Sequence, residues 1–453
     1  MLSRFIYYEF VFVYLNINMN NKDKYGEVFT PSYLVEQMID DAKMIMGNDF
    51  FLSKRNIFET GCGKGVFYST LMQHIQSSTP YIMNEINAEH ESILHAHIPS
   101  CRPHDKVFIC DLFDMVCDWK LDEKCQYDLV WGNLPFQSGG KTFVPGLATF
   151  HGNDSTVTNP KDVVTIWPKM IHVLFEHVLK QGGYFFGIIP CIWLKKDRAC
   201  IYDLFVKQHK LCFLKVFHSY EAHKLFGYKC QTPMCYVMVQ KMNQPSTEDP
   251  MEQTFSLYDA DVNQYIDFTL LRDYCIPTAH ASLFQTQVVH IQNTPNYVSC
   301  YDKLKKISLW KQSIVDEASV FFYQKSHTRL CDHVVENPYI YKVITGASVN
   351  KKQNNELVLH GFVSSLPGLY YGIPKLILPH KRLLKLFKDE SGTYSCYGRD
   401  MYVFLCPHGI DEINALEQLL STNKAIQMIE HGFSIRMNFI EKYVFQYINY
   451  DLK

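Results

Sequence analysis

The chain of 453 residues is too long for a small stapled module and has room for two to three domains. With 47% hydrophobic, 20% charged and 14% aromatic residues it is too apolar for disorder to dominate. Its 44 Lys and Arg against 46 Asp and Glu leave a net charge of −2, which excludes a uniformly basic nucleic-acid-binding surface and confines any basic patch to one region.

In chain order, residues 1–24 form an apolar and aromatic N-terminal extension, interrupted by Glu9 and lacking a small-residue cleavage site. They do not read as a signal peptide or an anchor. No other stretch has the run of about 18 apolar residues that a membrane span needs, so the expectation is a soluble, intracellular protein without membrane contact. From Gly26 to Met242, short apolar runs alternate with amphipathic segments, the pattern of a parallel sheet covered by helices. Strands are predicted at Asn56–Glu59, Tyr81–Asn84, Val107–Cys110, Tyr127–Trp131, Tyr184–Ile189, Phe213–Phe217 and Met234–Gln240. Helices are predicted at Ser32–Met46, Val66–Gln76, Ala88–His95, Thr165–Lys180 and Lys196–His209. The class is α/β, with seven strands in residues 25–242. The polar run Asn243–Pro250 breaks the rhythm, which places a linker at 243–253 and a second domain at 254–453. There strands and loops mix until a helix near Ile410–Ile429 and an apolar stretch at Phe439–Tyr447.

Chemistry concentrates at the carboxyl ends of the predicted strands. Ile57–Phe67 reads as a strand, a glycine-rich turn and a helix start; Gly61 and Gly63 let backbone approach a ligand, although tight turns also use glycine for steric reasons alone. At the end of the next strand Glu85 stands where a carboxylate accepts from ribose hydroxyls. The third strand ends in Asp111, followed by Leu112 and Phe113, apolar groups suited to sandwiching an adenine ring. The fourth runs into Asn133-Leu-Pro-Phe136. Pro135 pushes Leu134 towards an extended conformation, so that its carbonyl and the Asn133 side-chain oxygen can act as paired acceptors for one planar amine, with Phe136 stacked on the ring that bears it. A structural Asn-x-Pro turn is the alternative.

Taken together, Gly26-Glu-Val-Phe-Thr-Pro31, Glu59-Thr-Gly-Cys-Gly63, Glu85, Asp111, Asn133-Leu-Pro-Phe136 and Phe226 followed by Gln231–Gln240 resemble the ordered motifs of gamma-type S-adenosylmethionine-dependent DNA adenine (N6) methyltransferases of restriction–modification type. The resemblance spans roughly residues 25 to 242; beyond it only Gly372–Leu378 and the final helices look like the family's recognition domain. It implies a Rossmann-like methyltransferase domain with a seven-stranded mixed sheet and a mixed α+β carboxyl-terminal target-recognition domain. It further implies S-adenosyl-L-methionine as cofactor, with Thr30 at its methionine end, Glu59, Gly61 and Gly63 along its amino-acid and sulfonium region, Glu85 at the ribose, and Asp111 with Leu112 at the adenine. By the same resemblance, Asn133 and the Leu134 carbonyl would hold the target amine, Pro135 would stiffen the turn, and Phe136 and Phe226 would sandwich a flipped adenine. Double-stranded DNA is the implied partner, with room for a separate cognate restriction endonuclease. Leu134 departs from the family, which usually has Pro there; the needed carbonyl is kept, with one constraint fewer on its direction.

Other classes stay open. An Asn-x-Pro-aromatic tetrapeptide also serves amino-methyltransferases of RNA and of protein glutamine, and a catalytically inactive nucleic-acid-binding relative would retain the fold. His95, His97, Cys101 and His104 fit no zinc spacing, so no metal is expected, and fifteen cysteines without a C-x-x-C pair argue for reduced thiols. Between Asp302 and Asp400 there are 15 basic and 9 acidic residues. Lys375, Lys381, Arg382, Lys385 and Lys388 are therefore candidates for DNA backbone contacts, or for an ordinary solvated face.

Overall fold

The computed structural model describes residues 27–53, 55–118, 126–135, 166–196, 199–227, 232–243, 252–305, 319–320, 341–350, 356–364, 367–380, 384–433 and 439–450. The N-terminal extension 1–24, Phe136, Lys381 and Arg382 lie outside them. The chain divides into two compact units, Met1–Tyr258 and Asp259–Lys453.

The first unit contains β1 (Ile57–Thr60), β2 (Tyr81–Glu85), β3 (Lys106–Ile109), β4 (Tyr127–Asn133), β5 (Leu179–Pro190), β6 (Lys210–Phe217), β7 (Met234–Gln240) and β8 (Glu252–Asp259). Their spatial order is β3–β2–β1–β4–β5–β7–β6–β8. β1 to β5 are parallel, β7 is antiparallel to both β5 and β6, and β8 runs parallel to β6. Every residue of β1 and β2 is buried, as in strands covered on both faces; each starts apolar and carries its polar residues, Glu59 and Thr60 or Asn84 and Glu85, at its carboxyl end. The chain leaves β1 towards β2 and β3, then returns to β4 on the other side. The carboxyl ends of β1 and β4 therefore flank a topological switch point, where open α/β sheets bind ligands.

The helix Ser32–Met46 buries Leu34, Val35, Met38, Ile39 and Ala42, one face at helical spacing, and stops at Gly47, whose φ of +99° an L-residue rarely adopts. The expected helix 165–180 is shorter: Trp167–Val173 is α-helical, Leu174–Val178 is a π-turn, and β5 starts at once at Leu179. A π-turn misaligns carbonyls, and the buried Lys241 ammonium satisfies two of them, those of Phe175 and Leu179. The segment expected as a helix at 196–209 contains a second π-turn, Asp203–Gln208. Neither irregularity has a local signature.

The sheet continues beyond the seven strands expected. β8 starts at Glu252, inside the segment read as linker, and the first unit extends to Tyr258. Gln253 anchors it there, accepting from the Leu211 N–H (2.7 Å) and donating to the carbonyls of Val206 and His209 (3.0 Å each). The polar run before it ends the βαβ rhythm in sequence but not the sheet in space.

The second unit contains β9 (Gln264–Leu271), β10 (Leu304–Lys305), β11 (Ser319–Val320), β12 (Tyr341–Asn350), β13 (Glu356–Ser364), β14 (Lys375–Pro379), β15 (Phe387–Asp389) and β16 (Tyr394–Leu405). One sheet runs β11–β13–β12–β16–β14–β15, with β10 on β16, around a core of Ile344, Ile377, Cys396, Met401 and Val403. The helix expected near 410–429 is two helices, Ile410–Leu420 and Asn423–His431, the second opened by Thr422, whose hydroxyl accepts from the Ala425 N–H. The stretch 439–447 contains the 3-10 helix Lys442–Tyr447.

Two of the basic residues offered for DNA contacts are engaged within the protein. Lys375 has 0% exposure, lies 2.7 Å from Asp389 and donates to the carbonyls of Tyr370 and Ile373. The half-buried Lys388 pairs with Glu417 at 2.7 Å. A charge count gives totals and does not reveal which of these groups pair within the fold. Lys385 is exposed. Among the described residues no helix is long and apolar enough to cross a membrane.

Candidate functional site

The glycine turn after β1 has Gly61, Gly63 and Gly65 at φ +63°, +55° and +75°, conformations that glycine adopts without a Cβ penalty. Glu85, at the end of β2, fastens this turn. Its Oε2 accepts from the Gly63 N–H (2.7 Å) and its Oε1 from the Asn87 N–H (2.8 Å). Burial raises the Glu85 pKa, against the lowering effect of these N–H donors. Each oxygen retains a further lone pair for a hydroxyl.

Asp111 follows β3, where the Cys110 N–H donates to the Glu85 carbonyl (2.9 Å) and so keeps the two acids adjacent. Asp111 Oδ1 caps the helix Leu112–Asp118 by accepting from the Phe113 N–H (2.8 Å), while Oδ2 is buried without a hydrogen-bond partner. Burial pushes its pKa upward. Leu112 is buried beside it.

β4 delivers the Asn-Leu-Pro segment. Asn133 Nδ2 donates to the Val28 carbonyl and to Thr30 Oγ1, 3.0 Å each. Its Oδ1 is buried and unpartnered. A Cβ placed on Gly61 would stand 3.6 Å from Pro135 Cδ and 3.7 Å from the Asn133 carbonyl oxygen, so the glycine turn and the Asn-Leu-Pro turn are neighbours. Leu134 is fully buried and its N–H donates to the Ile188 carbonyl at 3.3 Å.

The sequence-predicted residues Thr30, Gly61, Asn133, Leu134 and Pro135 thus come together, and Gly63, Glu85, Asp111 and Leu112 adjoin them at the ends of β1, β2 and β3. Phe136 lies outside the described residues. Phe226 directly follows the helix Ser219–Leu225 and is only 2% exposed, so its ring belongs to the described core. Thr30 touches Asn133, a contact that the cofactor role implied by the resemblance did not include. Glu59 points inward: Tyr81 OH donates to its Oε2 (2.5 Å) and receives from Trp131 Nε1 (2.7 Å), while Oε1 is buried and unpartnered. Burial, partly offset by the Tyr81 hydrogen bond, pushes the Glu59 pKa up to about 8.

Sequence reasoning missed Glu27, Val28, Asn87 and His90. Asn87 Nδ2 donates to Glu27 Oε1 (2.6 Å), and His90 Nε2 lies 3.0 Å from the same oxygen. These contacts fasten the segment before the first helix across the ends of β2 and β4. Phe29 lies over the turn, its ring 3.6 Å from where a Gly63 Cβ would be, with Lys64 Nζ 4.9 Å from the ring centroid. The one available signal was the position of Asn87, two residues after Glu85, where its side chain caps a 3-10 turn. Arg102, next to the His and Cys run, is a buried structural partner of Asp105 and of the Thr79 carbonyl. Among the described residues no group of three or more His, Cys, Asp or Glu could hold a metal ion.

The site therefore belongs to an α/β unit whose switch-point edge collects a glycine turn, two buried acids and an oriented amide. No family model and no curated protein matches the chain. Among solved structures it is similar to a modification subunit of a putative type I restriction enzyme from Vibrio vulnificus, with 12% identity over 55% of this chain and 51% of that one and a TM-score of 0.37. It is also similar to a type I restriction-modification system methyltransferase subunit from Streptococcus thermophilus, with 15% identity, 54% and 51% coverage and a TM-score of 0.35. A third similar structure is the type I restriction enzyme EcoKI M protein, with 12% identity, 51% and 48% coverage and a TM-score of 0.36. The chain spans about half the length of each.

Proposed function

We propose that this chain is an S-adenosylmethionine-dependent methyltransferase acting on the exocyclic N6 amine of a flipped adenine in double-stranded DNA, of restriction–modification type. The observation that carries the reading is Asn133: its amide nitrogen is committed to Val28 and Thr30, which leaves Oδ1 as a buried acceptor without a partner. A buried polar atom left unpaired costs roughly 1–3 kcal/mol, and an amine donor offsets that cost. The residues also suit the cofactor. The second unpartnered acceptor, Asp111 Oδ2, suits an adenine amine, the spare lone pairs of Glu85 suit ribose hydroxyls, and the glycine turn admits close approach.

When bound, S-adenosylmethionine supplies a methyl group on a strongly electrophilic sulfonium. The chain's part is positional. Asn133 Oδ1 and the Leu134 carbonyl accept the two hydrogens of the target amine, which turns its lone pair away from ring conjugation and towards the methyl group. No side chain needs to act as a strong base before transfer. DNA as substrate is supported by the resemblance and by the existence of a second unit, Asp259–Lys453, later in the chain, the order that family has for its recognition domain. The same reading leaves room for a separate cognate endonuclease.

The test offers tritiated-methyl donor with duplex DNA, RNA or protein to the parent and to Asn133→Ala, alongside single-molecule sequencing of DNA from expressing cells. The expected result is N6-methyladenine in one sequence context, reduced at least ~100-fold in Asn133→Ala with cofactor binding retained. Label appearing only in RNA or protein would overturn the DNA assignment, and equal transfer by Asn133→Ala would overturn the acceptor role.

A further inference from the structure

We infer that Thr30 is a positioning residue for Asn133: together with the Val28 carbonyl it selects which end of the amide faces the target amine. This rests on the reading that Asn133 accepts from that amine. A carboxamide is nearly symmetric in shape, and rotating it by a half-turn exchanges an acceptor for a donor, which would repel an amine. Both N–H groups of this amide are engaged here. The Val28 carbonyl, 3.0 Å away, can only accept, so it requires Nδ2 on its side; Thr30 Oγ1, also 3.0 Å away, takes the second N–H. Oδ1 is thereby left on the opposite side of the amide from these two acceptors, buried and unpartnered. Thr30 is itself only 7% exposed, so little water competes for its hydroxyl.

The segment that carries these two acceptors is held from its other end. Glu27 Oε1 receives Asn87 Nδ2 (2.6 Å) and faces His90 Nε2 (3.0 Å), and the Asn87 N–H donates to Glu85 Oε1. Residues 27–30 therefore form a strap from the β2 end to the β4 end, with Phe29 over the glycine turn between them. Without the Thr30 oxygen, Val28 alone would hold the amide, and one N–H would be left in a buried place with no acceptor. The population of correctly oriented Asn133 falls, and the transfer step slows with it.

Thr30→Val keeps the branched shape and removes the acceptor; Thr30→Ser keeps the acceptor. In single-turnover methyl transfer at saturating cofactor, Thr30→Val is expected to be about tenfold slower, the effect of losing one orienting hydrogen bond. Its cofactor dissociation constant by calorimetry should stay within about twofold of the parent, and Thr30→Ser should restore most of the rate. An unchanged rate in Thr30→Val would overturn the inference, as would weakened cofactor binding with a parental rate at saturation, which would make Thr30 a cofactor contact. A second measurement is independent of activity: in protein labelled with nitrogen-15 asparagine, the side-chain amide signal absent from Asn133→Ala should shift in Thr30→Val and less in Thr30→Ser. If the parent transfers no methyl group, the proposed function fails, and the amide signal still decides the hydrogen bond. An unshifted signal in Thr30→Val would remove it.

Discussion

At residue scale, Leu134 contributes its backbone rather than its side chain to the site. Its N–H makes one long hydrogen bond to the Ile188 carbonyl, 3.3 Å, and the carbonyl needed for the target amine is unaffected by the side chain. Asn133, the last residue of β4, is the position before the ring in a Leu134→Pro variant, and a strand residue already suits that restriction. Leu134→Pro also exchanges a fully buried side chain for a smaller ring, so it is expected to cost about 2–4 kcal/mol in urea unfolding and to hold methyl transfer within a few-fold of the parent; a folded but inactive variant would show that the Leu134 amide is required. Glu59 makes a different prediction. Its folded pKa of about 8 lies above its ordinary value of 4.5, because burial disfavours the charged form. The folded state holds a proton that the unfolded chain releases, so this contribution to stability is complete below pH 4.5 and is lost as pH rises towards 8. Glu59→Gln cannot ionise, so its unfolding midpoint should fall less than that of the parent between pH 5 and pH 8, values that bracket most of this window. Parallel curves would mean that Glu59 is charged in the fold.

At the scale of elements, the close contact of β1 and β4 decides where Asn133 sits. Gly132, one residue before it, has φ +143°, and a Cβ there would stand 2.6 Å from the Thr60 backbone oxygen. The obstacle is backbone on a neighbouring central strand and cannot swing aside. Gly132→Ala should therefore destabilise the protein by at least about 2 kcal/mol, or separate the strands enough to displace Asn133. Thermal unfolding and the transfer rate read these outcomes; a variant with parental stability and rate would show that the strands tolerate the extra carbon.

For the whole molecule, both units use charged groups inside the fold, Arg102 with Asp105 in the first and Lys375 with Asp389 in the second. The basic residues of the second unit cannot be assigned to DNA by counting, since Lys375 forms a fully buried pair with Asp389, which also accepts from the N–H groups of Thr393 and Tyr394. Lys375→Ala leaves that carboxylate without its cation and should cost about 3–5 kcal/mol, seen as faster hydrogen exchange across β14 and β16. A surface phosphate contact would behave oppositely, lowering the salt slope of DNA binding by about one unit with stability intact. How much the sequence discloses follows the same division between local and distant causes. Apolar-rich runs bounded by turn residues located β1 to β7 within a few residues, because the core-facing positions of a strand are apolar even where its carboxyl end carries polar groups. The glycine turn, Glu85, Asp111 and Asn133 were legible because each sits at the end of such a run. The π-turns, the attachment of β8, the Lys375–Asp389 pair and the hold of Val28 and Thr30 on Asn133 were not. Each depends on a partner in another element, as far off as the 103 positions that separate Thr30 from Asn133, and local periodicity carries no record of which groups packing brings within hydrogen-bonding distance.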